Sequence, residues 1–262
     1  MRTSTLLFRL LVVLLYCFLL SPLLITIVIS FSNDPFMGFP PSSWGFRWYG
    51  ELARNATFGS AALTSVLVAI SVTLVALCAG VPAAYAIVRG SFAGRDALLA
   101  LLTAPLLLPA IVLGLAVLLV FVRIGLVASY PGMILAHLCV TLPYVVRITA
   151  VALSTLKPDA EEAALTLGAT PWATFRHVTL PLMLPGIVGA GALSFLVSFD
   201  EVVLSLFLTG PRLTTLPVEI YRYVEFRTDP QIAALSVALI LVTVSVVVLI
   251  ERSVGVMRAL GK

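Results

Sequence analysis

The sequence predicts an all-α integral membrane protein with six transmembrane helices, and three observations predict it. The chain of 262 residues is 61% hydrophobic and only 11% charged, with a mean hydropathy of +1.14, whereas a soluble domain carries about 25% charged residues. Its ionisable residues leave six stretches without Asp, Glu, Lys or Arg, at 10–33, 55–88, 97–122, 124–146, 177–199 and 230–250. Each covers the roughly 20 residues a helix needs to cross about 30 Å of hydrocarbon. Runs such as Leu10 to Leu15 and Ala97 to Leu102 do not alternate in polarity, which argues against an outer-membrane barrel.

Arg2 and Arg9 precede the first apolar stretch, which is too long for a signal-peptide core. Ser30-Phe31-Ser32 is not a small-x-small cleavage site, so an uncleaved first helix is expected. The segment 31–58 after it holds Pro35, Pro40, Pro41 and the aromatics Trp44, Phe46, Trp48 and Tyr49. Such aromatics favour the boundary between lipid and water, so this segment is expected on the outer membrane surface. The turn 89–96 is a short connection to the third span, where Pro105 and Pro109 must break or kink the helix. Irregular backbone at membrane depth is tolerated only against protein or water, so the third span is expected to line a cavity. Cys17, Cys78 and Cys139 each fall inside an apolar stretch without metal-ligand spacing, and read as small buried apolar residues.

Placing the N-terminus in the cytoplasm puts ten Lys and Arg inside against six outside, and five acids inside against seven outside. The inner face then nets +5 and the outer −1, so both termini are expected in the cytoplasm. The positive net charge reports topology, and nucleic acid is not an expected partner. No internal repeat or change of composition marks a second soluble domain. The chain divides into a first helix with its periplasmic segment (1–58), a five-helix region (59–251) and a short cytoplasmic tail (252–262).

The connection at 152–182, between the fourth and fifth spans, is the most informative segment. In Lys157-Pro158-Asp159-Ala160-Glu161-Glu162, Asp159 is a candidate N-cap with Glu162 three residues on, the geometry of a capping box. A helix is expected from Ala160 to Gly168, where glycine supplies the left-handed turn. Thr170-Pro171 then reads as a second cap with proline at the first helical position, opening another short helix. Adjacent carboxylates at Glu161 and Glu162 would be repelled by anionic lipid. Small Ala163 and Ala164 beside them suit a groove on another protein.

Glu162-Ala163-Ala164, then Gly168, then Val178-Thr179-Leu180-Pro181 resembles the cytoplasmic loop motif of permease subunits in binding-protein-dependent ABC importers of the type I fold. Val178 stands where that motif has Ile. The resemblance implies that 59–251 is a type I ABC transmembrane domain, that Glu162 meets an ATPase subunit, and that Ala163 and Ala164 allow close approach. It also implies that Gly168 makes the turn, and that Val178, Leu180 and Pro181 carry movement into the fifth span. The implied partners are a dimer of ABC ATPase subunits, a second permease subunit and a periplasmic solute-binding protein, in a bacterial inner membrane. The chain's two lysines, Lys157 and Lys262, lie in no P-loop, so ATP is expected to be used by a partner and no cofactor is expected on this chain.

Asp200-Glu201 interrupts an apolar run, and an intramembrane carboxylate costs about 2.5–3.5 kcal/mol on insertion scales, so it demands a partner or a wet cavity. On a continuous helix Ser194, Ser198, Glu201 and Ser205 would share one face, with Asp200 turned about 100° from it. These five residues are the candidate substrate pathway, and acids there favour a cation; pairing with Arg123 or Arg147 is the structural alternative. Ser198-Phe199-Asp200-Glu201-Val202-Val203, with Thr209-Gly210-Pro211 and Thr215-Leu216-Pro217, is similar to spermidine/putrescine permeases. That subfamily also covers 4-aminobutyrate, opine, phosphonate and ferric iron carriers. His137 lies in the fourth span without a carboxylate at helical spacing, and His177 sits at the loop end beside Arg176, so both are read as packing and interface residues rather than a proton relay. The rival readings are a six-helix secondary transporter, which would want repeated halves, and an intramembrane enzyme, for which no nucleophile motif stands near either histidine.

Overall fold

The computed structural model describes residues 2–254, with side chains over 8–245 and at 248. Residues 255–262 of the expected tail, with Arg258 and Lys262, lie outside the described residues. The described chain is helical: α1 (Arg2–Ser30), α2 (Arg47–Arg54), α3 (Ala56–Arg89), α4 (Arg95–Thr103), α5 (Ala110–Ile124), α6 (Tyr130–Ser154), α7 (Asp159–Thr166), α8 (Pro171–Thr174), α9 (Leu180–Phe199), α10 (Val203–Leu208), α11 (Leu216–Phe226) and α12 (Gln231–Val254). Among the described residues, four helical runs are long and apolar enough to cross a membrane: Phe8–Ser30, Ala56–Arg89, Tyr130–Ser154 and Pro171–Phe199. Arg95–Leu107 with Ala110–Ile124 makes a fifth if its 106° bend lies within one span, and α12 adds a shorter apolar stretch, Gln231–Ser245.

The third apolar stretch is therefore not one straight helix, and its two prolines say why. Ala104–Leu107 tightens into a 3-10 turn with Pro105 in its first turn. Leu108, pushed out of the helical region by the ring of Pro109, is extended at φ −93, ψ 140. Pro109 then caps the start of α5. The fourth span also starts later than its apolar stretch. Gly125, left-handed at φ 70, ends α5, and Ser129 opens α6 by accepting from Gly132 N at 3.2 Å. That span then runs on to Ser154, past Arg147.

Among the described residues, those of 2–59 and 220–254 form one compact unit and those of 60–219 another. In the first, α1 packs on α12 while Phe8, Phe18, Leu19 and their neighbours stay exposed, the surface a helix presents to lipid. The segment after α1 folds around Asp34. Its carboxylate accepts from Ser42 N at 2.8 Å, Ser42 Oγ at 2.5 Å and Ser43 Oγ at 2.8 Å, and these bonds, Ser42 first, hold its pKa down at about 2. Trp48 is buried and donates from its indole to Asp34 O at 3.1 Å, and the rings of Phe31, Phe46 and Tyr49 pack at edge-on and tilted angles. Tyr223 lies 2.8 Å from Asp229 Oδ2 and 2.7 Å from Gln231 Oε1. Burial, with the Asp229 hydrogen bond, raises its phenol to about 12.

In the second unit α6 is the central strut, packed most closely against α9. One cluster joins Val68 and Val72 of α3 to Met133 and Ala136 of α6 and Leu204 and Leu208 of α10. Another joins Ala76, Val145 and Ala190. The close approach is built on glycine: a Cβ on Gly186 would collide with Ala152 Cβ, and one on Gly80 would stand 2.7 Å from Val145 Cγ1. The cysteines depart from expectation. Cys17 and Cys78 are exposed and Cys139 is half-buried, all as free thiols. Charge-free spans present these thiols outward because lipid accepts a small apolar group as readily as a core does.

Candidate functional site

The loop joining α6 to α9 carries the first candidate site. Its helix α7 begins at Asp159 itself, after Pro158, and no side chain caps it. The expected capping box is absent because proline already supplies a helical φ one residue earlier. The acids serve otherwise. Asp159, Glu161 and Glu162 all lie in the first turn, where the helix dipole favours negative charge. The far end is as expected: Gly168 is left-handed at φ +90, its N–H bonds Leu165 O at 3.0 Å, and Ala169 N bonds Ala164 O at 3.0 Å, the paired bonds of a Schellman stop.

Thr170 accepts from Ala173 N at 3.2 Å and opens α8 with Pro171 next, as its sequence predicts. The expected second helix is not a separate short one, however. Phe175–Thr179 winds as a π-helix and leads without a break into α9. Val178 lies in that π turn, and Leu180 and Pro181 form the first turn of α9. Val178, Leu180 and Pro181 thus sit on one unbroken helical run, Pro171–Phe199. Glu162, Ala163, Leu165, Leu167 and Trp172 are exposed at the loop tip, Ala164 is half-buried, and Leu167 is 88% exposed.

Glu161, read from the sequence only as an acid adjacent to Glu162, fastens this loop. One carboxylate oxygen accepts from Arg89 Nε at 2.8 Å and the other from Thr179 Oγ1 at 2.7 Å. Arg89 Nη2 also donates to Leu156 O at 3.1 Å. A single carboxylate therefore ties α7 to the end of α3 and to the π turn before α9, and the guanidinium adds the connection just after α6. The side chains are only 22% and 13% exposed, Arg89 first, so water screens the pair weakly. The partners lie 72 and 18 residues away in sequence, and no local pattern marks them.

The second candidate is Asp200-Glu201. The expected continuous helix is interrupted here: α9 ends at Phe199 and α10 starts at Val203, so the acids occupy a break rather than a helical face. Asp200 N still bonds Leu196 O at 3.0 Å, and the Asp200 side chain is exposed. Glu201 is half-buried, and its Oε1 accepts from Leu204 N at 3.0 Å in the first turn of α10. Ser194, Ser198 and Ser205 are all buried, so the expected polar face of three serines and Glu201 is an internal seam in this chain. Its partner is His137 of α6, itself buried, with Nδ1 3.0 Å from Ser198 Oγ and Nε2 2.9 Å from Ser205 Oγ. His137 is the packing residue that its sequence setting suggests. Among the described residues neither acid forms an ion pair with Arg123 or Arg147. The two regions offer different chemistry: an acid-tipped loop on a long apolar helix, and a carboxylate pair at a break between two helices.

The model of the family described as "Binding-protein-dependent transport system inner membrane component" matches residues 76–257. The putrescine transport system permease protein PotI of Escherichia coli is 36% identical over 88% of this chain and 84% of its own. The spermidine/putrescine transport system permease protein PotC of Haemophilus influenzae is 32% identical over 89% of this chain and 91% of its own. Among solved structures, that of a bacterial ABC transporter involved in the import of the acidic polysaccharide alginate superposes with a TM-score of 0.77 over 96% of both chains, at 16% identity. That likeness is one of fold.

Proposed function

This chain belongs to the family of binding-protein-dependent transport system inner membrane components, and from that membership we propose that it forms one half of an ATP-driven import pore for a small cationic amine of the putrescine and spermidine class. It is the permease subunit of an ABC importer. In the proposed assembly six helices cross the bacterial inner membrane with both termini in the cytoplasm, α12 being the sixth. A second permease subunit completes the pore, a periplasmic binding protein delivers the cargo, and a dimer of ATPase subunits supplies the energy, so the chain needs no ATP site of its own.

The observation that carries the coupling role is the construction of α7. A handle that bears Glu162, Ala163 and Ala164, stops at Gly168 and continues through α8 and the π turn into α9 moves as one body when its tip is pushed. The exposed Leu165, Leu167 and Trp172 give the tip apolar surface for a cleft in the ATPase. On the pathway, the exposed Asp200 is the stronger candidate for the cargo's ammonium groups, with Glu201 behind it as a second charge and Ser194, Ser198 and Ser205 supporting the break. The names of the relatives, putrescine and spermidine/putrescine permeases, favour an amine among the cargoes open to the subfamily. A six-helix secondary transporter has no observation in its favour.

Two measurements test this reading. Affinity purification of this chain brings down the ATPase, and Glu162→Ala or Gly168→Val releases it; retention by both variants would end the coupling role. Mass-spectrometric identification of the solute on the cognate binding protein should yield a di- or polyamine. An anion there would end the cargo assignment.

A further inference from the structure

His137 is the buried titratable residue that coupling and cargo contact leave unused. It stands on α6 and reaches two serines on either side of the Asp200-Glu201 break, Ser198 in the last turn of α9 and Ser205 in α10. The direction of each bond follows from proton counting. Ser205 Oγ donates its only hydrogen to Glu201 O at 2.7 Å, so at His137 the same oxygen must accept, and Nε2 carries the ring hydrogen. In a neutral imidazole Nδ1 is then the acceptor, and it takes the hydroxyl hydrogen of Ser198. The result is one directed chain, from Ser198 through the ring and Ser205 to the backbone carbonyl of Glu201.

The geometry points to His137 as the positioning residue of the acid break. Through Ser198 and Ser205 it holds the end of α9 and the start of α10 at a set separation, and so fixes the backbone from which Asp200 and Glu201 project. This rests on the reading that these acids meet the cargo. Among the described residues, the hydrogen bonds at the break other than those of the ring are short-range: Asp200 N to Leu196 O, Leu206 N to Val202 O, and the two bonds of Glu201. Such bonds shape each helix end but do not relate one end to the other. The imidazole does so because its two nitrogens face opposite sides of the ring and α6 is a buried strut at this point, with Met133 and Ala136 fully covered. Leu204 and Leu208 already seat α10 against α6; the ring adds a polar link across the break, and a carboxylate shifted by its loss forfeits its advantage over bulk water.

The test uses the whole importer in proteoliposomes, with the loaded binding protein outside, ATP inside and radiolabelled putrescine as probe. The readout is putrescine moved per ATP hydrolysed. His137→Phe keeps the ring volume and removes both bonds; Ser205→Ala keeps the ring and cuts the chain at one oxygen. Both are expected to lower the ratio at least fivefold while binding-protein-stimulated ATP hydrolysis stays within twofold. A residue that merely supports the fold would lower assembly and hydrolysis together and leave the ratio intact. Combined with Asp200→Asn and Glu201→Gln together, His137→Phe should add nothing further, because the ring acts through those two acids. An unchanged ratio in both variants overturns the proposal, and so do effects that multiply in the combined variant. If His137→Phe does not assemble, Ser205→Ala decides. Should Asp200→Asn and Glu201→Gln both leave the ratio untouched, the cargo reading itself fails, which is a distinct result.

Discussion

Replacing Glu161 with Gln keeps its shape and its reach to Thr179 while deleting the charge that Arg89 faces at 2.8 Å. An exposed pair would contribute at most about 1 kcal/mol, whereas removing one partner of a fully buried pair costs about 3–5 kcal/mol. With side chains 22% and 13% exposed, this pair lies nearer the buried limit. Arg89 retains its bond to Leu156 O at 3.1 Å, which softens the loss. A weakening of about 2 kcal/mol in the anchorage of α7 is expected, which is about a 30-fold rise in local opening. Hydrogen exchange on the amides of 159–167, in nanodiscs holding the intact importer, reads this directly. Arg89→Gln should give a similar acceleration, and the double variant should be no worse than the worse single one, since each removes the same interaction. Exchange within twofold of wild type in Glu161→Gln would refute the reasoning: the loop would then be held by its packing, and the carboxylate bridge would be incidental.

The same geometry sets three further outcomes. Gly168→Ala places a Cβ at φ +90, where nothing crowds it but the backbone itself is strained by about 1–2 kcal/mol; ATPase co-purification should fall further for Ala than for Asn, and equal retention would contradict a left-handed stop. Asp34 has its pKa depressed to about 2, so its contribution is complete above the ordinary carboxylate range near 4 and is lost as pH falls through 2. With Trp172 replaced by Phe, the emission of Trp44 and Trp48 should hold steady from pH 6 to 4 and shift between 4 and 2; a midpoint at or above 4 would contradict the Ser42 and Ser43 anchorage. Gly186→Val should prevent α9 from seating on α6, because even its Cβ would collide with that of Ala152, and a normal thermal midpoint in detergent would count against that close approach.

How much the chain alone reveals depends on the range of each interaction. Spanning helices are local in sequence, so gaps between charges locate them to within several residues. Gly168 and Thr170-Pro171 are equally local, and both behave as their chemistry dictates. The interruptions are harder to read. Pro105 and Pro109 announce a break, but the 106° bend depends on what α4 and α5 each pack against. Asp200-Glu201 looks like two acids in a helix because its flanks are apolar; it is a helix end, where Asp200 reaches the surface and Glu201 accepts from Leu204 N, which serves two adjacent charges better than a buried helical face. The bonds of Glu161 and His137 span 18 to 72 residues, and no periodicity reports them. Sequence therefore points to the motif proposed to meet the partner and misses the fastening behind it.

The most direct test of the account is uptake into proteoliposomes that hold this chain, its partner permease and the ATPase dimer, with the loaded binding protein outside. Labelled putrescine should accumulate only when ATP is enclosed, and Glu162→Ala or Gly168→Val should abolish accumulation. Putrescine entry that persists without ATP, or that is indifferent to both substitutions, would contradict the claim that α7 drives this pore.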